Sequence, residues 1–123
     1  MHTSSKRTVI LGASASPDRY AYQAFMQLRA KGHEPLPVGV RAGKIEETDI
    51  LLGTPALEDV DTVTLYVNPE RQRDYYDYIL GLNPKRIIFN PGTENAEFAR
   101  MARERGIEVV IGCTLVMLTL NNF

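Results

Sequence analysis

The stretch "VILGASASPDRYAYQAF", Val9 to Phe25, ends an apolar run at a glycine, passes through small residues and enters a helical pattern beside a proline. Small residues let a backbone approach an anion, and a following helix start offers unpaired N–H groups, which together make a phosphate-binding turn. The dinucleotide fingerprint G-x-G-x-x-G asks for three glycines; the matching places here are Gly12, Ser14 and Pro17, so only the first agrees. A second clue follows the next apolar segment. A ribose with a free 2′-hydroxyl wants an acidic residue there, whereas this chain reads "VGVRAGK", with Arg41 and Lys44. NAD is disfavoured, and a nucleotide with an additional ribose phosphate, NADP or coenzyme A, suits the charge.

Catalytic and metal chemistry find less support. A nucleophilic serine or cysteine needs a base within reach, yet the histidines are His2, near the terminus, and His33, at the wrong end of a strand. Cys113 reads as a small apolar side chain after the last strand. One cysteine and two distant histidines supply no ligand cluster, so no metal site is expected. Glu94 and Glu97 fall where they favour a helix dipole. Tyr75, Ile79 and Leu82 form a helical stripe suited to core or subunit contact. Asp74 and Asp77 flank the tyrosine cluster where nucleic-acid binding would want basic residues.

Composition sets the frame. The 123 residues are 44% hydrophobic and 24% charged with net charge −1, an ordinary globular balance for one domain, 1–123, with no global field for nucleic acid or an anionic membrane. The lone cysteine favours a reducing compartment. The first apolar run is too short for a signal segment or membrane span, so a cytoplasmic protein is expected.

The elements that would position these residues alternate. Thr8–Gly12, Pro35–Val40, Asp61–Val67, Arg86–Asn90 and Glu108–Gly112 read as strands, the second with an edge-like start because of its two prolines. Ser16 and Pro17 are placed to cap and begin a helix whose Ala21, Ala24, Phe25 and Leu28 share one face and whose end is Gly32. Asn68 and Pro69 should open a second helix, and Thr93 a third that closes at Gly106. Residues 41–60 suggest a small strand pair and a helical turn, while the tail from Cys113 fits a helix, a strand or a dimer contact. This alternation predicts an α/β, Rossmann-like, doubly wound domain: a mainly parallel, five-stranded sheet with helices on both faces, three layers in all.

In such a sheet ligands bind beyond the carboxyl ends of the strands. That edge gathers four loops, Gly12–Pro17, Gly39–Lys44, Asn68–Arg71 and Asn90–Glu94, with Arg19, Arg41, Lys44 and Arg71 near it. Lys31, His33, Lys85 and Arg86 go to the other edge and read as solvated charge.

The same residues carry a resemblance. "VILGASASPDRYAYQAFMQLRAKGHEPLPV", "DTVTLYVNP", "KRIIFNPGTENAEFARMARERGIEVV" and "CTLVML" resemble the small stand-alone CoA-binding-domain proteins, which are similar to the N-terminal domain of the succinyl-CoA synthetase alpha subunit. The resemblance implies that Gly12, Ala13 and Ser14 form the turn against the CoA phosphates, with Arg19 near them. It implies that Val38, Gly39, Val40 and Arg41 take the adenosine end, Arg41 or Lys44 facing its 3′-phosphate. Tyr66 to Pro69, including Asn68, would line the cleft, and Asn90, Pro91, Gly92 and Thr93 would lie by the pantetheine arm. Two loops depart from the family pattern: "PVGVRAG" stands for "PVNP" and "NPG" for "QLG". The expected function is binding of coenzyme A or an acyl-CoA, a small-molecule nucleotide ligand, by a non-catalytic or regulatory protein that self-associates as a homodimer. The alternative is an NADP-binding reductase-like protein, and a third reading is an assembly domain with an empty cleft.

Overall fold

Short apolar runs bounded by glycine become parallel strands covered on both sides. The computed structural model describes residues 5–123. Its strands are β1 (Arg7–Leu11), β2 (Glu34–Gly39), the hairpin β3 (Lys44–Ile45) and β4 (Thr48–Asp49), β5 (Leu51–Leu52), β6 (Thr62–Leu65), β7 (Arg86–Phe89) and β8 (Glu108–Ile111). Six of them form one sheet in the order β5-β2-β1-β6-β7-β8, every neighbouring pair parallel. The doubly wound layer is therefore as expected, with one strand more: β5 is only two residues long and left no run to read. The expected strand pair in 41–60 is the β3–β4 hairpin, but residues 53–60 form bends and irregular chain instead of a helical turn.

The two prolines of β2 have a physical place. The Glu34 N–H donates to the Lys6 carbonyl on the β1 side, so by strand alternation Pro35 and Pro37 turn their nitrogens away from β1. On that outer side β5 pairs only with Val38 and Gly39, which leaves the start of β2 edge-like.

Helix α1 (Tyr20–Ala30) buries Ala21, Ala24, Phe25 and Leu28 and ends before Gly32, whose φ is +85°. Its start corrects the sequence reading. Ser16 to Arg19 make a separate turn, closed by the Arg19 N–H on the Ser16 carbonyl at 3.0 Å, and the Ser16 hydroxyl donates to Asp18. Pro17 presets the second position of that turn, so among the described residues no side chain caps α1.

The second helical segment is broken into α2 (Pro69–Gln72), a 3-10 turn (Arg73–Tyr75) and α3 (Tyr76–Gly81), the Asn68 side chain accepting from the Arg71 N–H at 2.8 Å as expected of a cap. Helix α4 (Ala96–Glu104) is capped by Asn95, not Thr93: the Asn95 oxygen accepts from the Phe98 N–H at 3.0 Å. Thr93 lies too early, its hydroxyl donating back to the Asn90 carbonyl at 2.8 Å. The tail folds as α5 (Thr114–Thr119).

Two apolar layers result. On one face Val9, Leu11, Val63, Leu65, Ile87 and Phe89 meet Ile79, Leu80 and Phe98. On the other, Ile10 meets Phe25 and Leu28 of α1 and Leu118 of α5.

The amino-terminal edge of the sheet holds a second correction. His33 and Arg86 are not solvated; they are 8% and 7% exposed. The Lys6 N–H donates to His33 Nδ1 at 3.1 Å, and the Phe123 ring lies 5.0 Å from the imidazole and 4.4 Å from the Arg86 guanidinium. Guanidinium over an aromatic face is favourable, and the Phe123 ring covers both Arg86 and the imidazole of His33. His2 lies outside the described residues.

Burial, reinforced by the Lys6 and Arg86 charges, holds the His33 imidazole below the usual histidine range. A base depressed in the native state is bound by protons more readily in the unfolded chain. Its contribution is therefore complete above the ordinary value of about 6.5 and is lost as pH falls through the folded value. The thermal midpoint should fall between about pH 7 and about pH 5, and fall less in His33→Asn, whose oxygen can still accept from Lys6; equal slopes contradict this assignment.

Close approach also decides the other edge. A Cβ on Gly39 would lie 2.7 Å from the Ala13 carbonyl oxygen. Overpacking of this kind costs roughly 1–3 kcal/mol. Denaturant titration of Gly39→Ala should register that loss. Gly81→Ala, where no described atom lies within 4 Å of the new Cβ, should stay within about 0.5 kcal/mol of wild type or exceed it.

Candidate ligand cleft

The sheet winds outward in opposite directions from β1 and β6, and the loops after β1, β2, β6 and β7 enclose a cleft of about 810 Å³ at this switch point. Its volume lies within the range of small-molecule sites. A second cavity of about 350 Å³ lies beside the proline edge of β2, but its charged groups are already paired: Arg29 with Glu47, Glu34 with Arg7 and Asp49 with Lys44.

The turn after β1 supplies Gly12, Ala13, Ser14 and, at the end of the Ser16 turn, Arg19. Gly12 has φ +97°, and a Cβ there would meet the Tyr66 backbone at 3.0 Å, so glycine is required twice over. The N–H groups of Gly12 and Ala13 both donate to the Val38 carbonyl at 2.9 Å. These donors are spent inside the fold. The turn shapes the cleft, while the uncapped start of α1 at Tyr20 and Ala21 borders it.

Gly39, Val40 and Arg41 line the cleft after β2. Val38 does not; its side chain is buried and its carbonyl ties down the first turn. Lys44 also lies elsewhere, paired with Asp49 at 2.9 Å across the hairpin. Ile50, returning from that hairpin, donates its N–H to the Gly43 carbonyl and borders the cleft.

From the β6 side come Tyr66 and Asn68; Pro69 starts α2 without lining the cleft. Burial pushes the Tyr66 hydroxyl up to about 12 against the opposing pull of the nearby Thr64 and Thr114 hydroxyls, which bond each other and, among the described residues, leave this oxygen without a well-formed hydrogen bond. Pro91, Gly92 and Thr93 line the far end, where the Gly92 N–H is engaged by Glu94 at 2.8 Å. Asn90 is a bracket beneath the floor. Its Nδ2 donates to the Thr64 hydroxyl at 2.6 Å and the Leu65 carbonyl at 2.9 Å, and its Oδ1 accepts from the Thr114 N–H at 2.8 Å.

The electrostatics are one-sided. Arg19, Arg41 and Arg71 line the cleft, no aspartate or glutamate does, and among the described residues none of the three arginines forms an ion pair. Guanidinium groups held without carboxylates suit phosphate. Sequence reasoning assigned Arg71 to this edge but not to the ligand; it missed Tyr20, Ile50 and Tyr75. Tyr75, expected in the core or a subunit contact, packs on the core while lining the cleft. Among the described residues no three His, Cys, Asp or Glu side chains cluster to hold a metal, and no helix is long and apolar enough to cross a membrane.

Comparison with known proteins gives the family and the fold. The CoA binding domain family matches residues 6–119. A crystal structure of an uncharacterized protein superposes with a TM-score of 0.96 at 52% identity, covering 98% of this chain and 100% of its own. A Thermus thermophilus protein follows at TM-score 0.86 and 25% identity, with 97% and 91% covered. A hypothetical protein from Pyrococcus horikoshii OT3 shares the fold at TM-score 0.84 and 21% identity, with 95% and 83% covered. With this match over nearly its whole length, and a cationic cleft at the switch point of a Rossmann-like sheet, the chain belongs to the CoA-binding domain family.

Proposed function

We propose that the cleft binds coenzyme A or an acyl-CoA, and that the protein acts by binding rather than by catalysis. One observation carries the reading: among the described residues, three arginines without ion-pair partners line the cleft and no acidic side chain is part of its lining. The residues fit the group. Arg41, after β2, suits a phosphate on the ribose; Arg19 and the uncapped start of α1 suit the diphosphate. The groove past Tyr66 and Asn68 to Pro91–Thr93 offers shape and few free donors, which suits a long, weakly polar arm. Lys44, already paired with Asp49, is a poorer phosphate ligand than Arg41. Arg41 equally suits the 2′-phosphate of NADP, so NADP is the competing ligand.

Thermal shift with CoA, acetyl-CoA, NADP and NAD separates these readings. A ligand at about one hundred times its dissociation constant adds about 2.7 kcal/mol of stability. CoA and acetyl-CoA should stabilise the wild type, and Arg41→Glu should abolish most of that effect. Silence from CoA at millimolar concentration beside a clear NADP response would overturn the CoA assignment.

A further inference from the structure

The protein has six tyrosines and no tryptophan. Three tyrosines line the cleft, and two of them are committed to the fold. The Tyr66 hydroxyl is buried in the floor, and Tyr75 packs against the core. Tyr20 differs. It stands in the first turn of α1, is 71% exposed, and among the described residues belongs to neither apolar cluster. Val40, also in the cleft lining, is 63% exposed, with buried Ile50 bordering the same end. Tyr20 enters α1 from the loop after β1 and Val40 lies in the loop after β2, and these neighbouring strands are about 4.8 Å apart.

Large apolar side chains left open inside a concave site mark a contact surface. These two are interleaved with Arg19 and Arg41, which selects a ligand part that is flat and apolar yet carries phosphates close by. A purine nucleotide has that chemistry; a flexible amide arm does not. We propose that Tyr20 is the base-stacking residue of the cleft, covering the adenine ring against Val40. This assignment rests on the CoA reading above and adds to it a residue and a recognition mode for the base.

Stacking on an aromatic face contributes enough for alanine substitution to weaken binding about tenfold. Isothermal titration with CoA and with adenosine 3′,5′-bisphosphate should give that loss for Tyr20→Ala, with Tyr20→Phe within about twofold of wild type. Both variants should keep the wild-type thermal midpoint without ligand, because Tyr20 is exposed. The bisphosphate should also quench tyrosine emission in wild type more than in Tyr20→Phe. Unchanged affinity in Tyr20→Ala overturns the assignment alone, and so does a Tyr20→Phe variant as weak as Tyr20→Ala. A wild type that binds neither ligand overturns the CoA reading and this assignment together.

Discussion

Two N–H groups converge on one carbonyl: Gly12 and Ala13 both donate to Val38. This contact pins the turn after β1 onto the end of β2, and the rest of the cleft follows from it. It requires Gly39, because a Cβ there would strike the Ala13 carbonyl, and Gly12, because of its positive φ. Gly43 extends the same closeness, since its Cβ would lie 2.9 Å from that of Ala15. The first and second loops are thus one surface, and Arg19, Tyr20, Val40 and Arg41 come together on it as a consequence.

The floor and the far end depend on a second arrangement, built from hydrogen bonds. Asn90 ties β7 to β6 and to the start of α5, and Gln72 Nε2 bridges the Val67 and Thr93 carbonyls at 2.9 and 2.8 Å. Both side chains are buried and satisfied, so the loops after β6 and β7 are held by polar groups whose loss would leave partners unpaired. Polar side chains that look available in the sequence are therefore spent on geometry. Among the described cleft residues, the arginines and the start of α1 are cationic or electropositive groups left to meet an anion. Net charge near zero for the chain as a whole coexists with a cleft whose charged lining side chains, among the described residues, are all arginines.

Periodicity and punctuation made most of the fold legible. Val9–Leu11 and Ile87–Phe89 are continuous apolar runs and Thr62–Leu65 is rich in β-branched residues, and all three are buried strands; the α1 stripe at Ala21, Ala24, Phe25 and Leu28 was readable residue by residue. What failed was local chemistry with two valid solutions. Ser16–Pro17 can open a helix or a turn, and the turn prevails; Thr93 and Asn95 can each cap, and the one nearer the helix does. β5 escaped notice because two residues carry no period. Arg86 and His33 were misjudged because their aromatic partner, Phe123, lies far along the chain. Of the candidate site, the loops were legible from topology, whereas the inward turn of Asn90 and the pairing of Lys44 are tertiary facts. Tyr20 gave no pattern at all, since an exposed tyrosine in a first helical turn is unremarkable until the cleft is seen beside it.

The central claim is that coenzyme A occupies the carboxyl edge of the sheet at the switch point. Backbone amide chemical shifts of the isotopically labelled protein, followed through a CoA titration, test it most directly. The account predicts the largest changes over Ser14–Ala21 and Gly39–Ala42, smaller ones at Arg71 and Gly92–Thr93, and none at Lys31–Glu34 or Lys85–Arg86. Changes concentrated at the His33 and Arg86 edge, or none anywhere at saturating CoA, would contradict it.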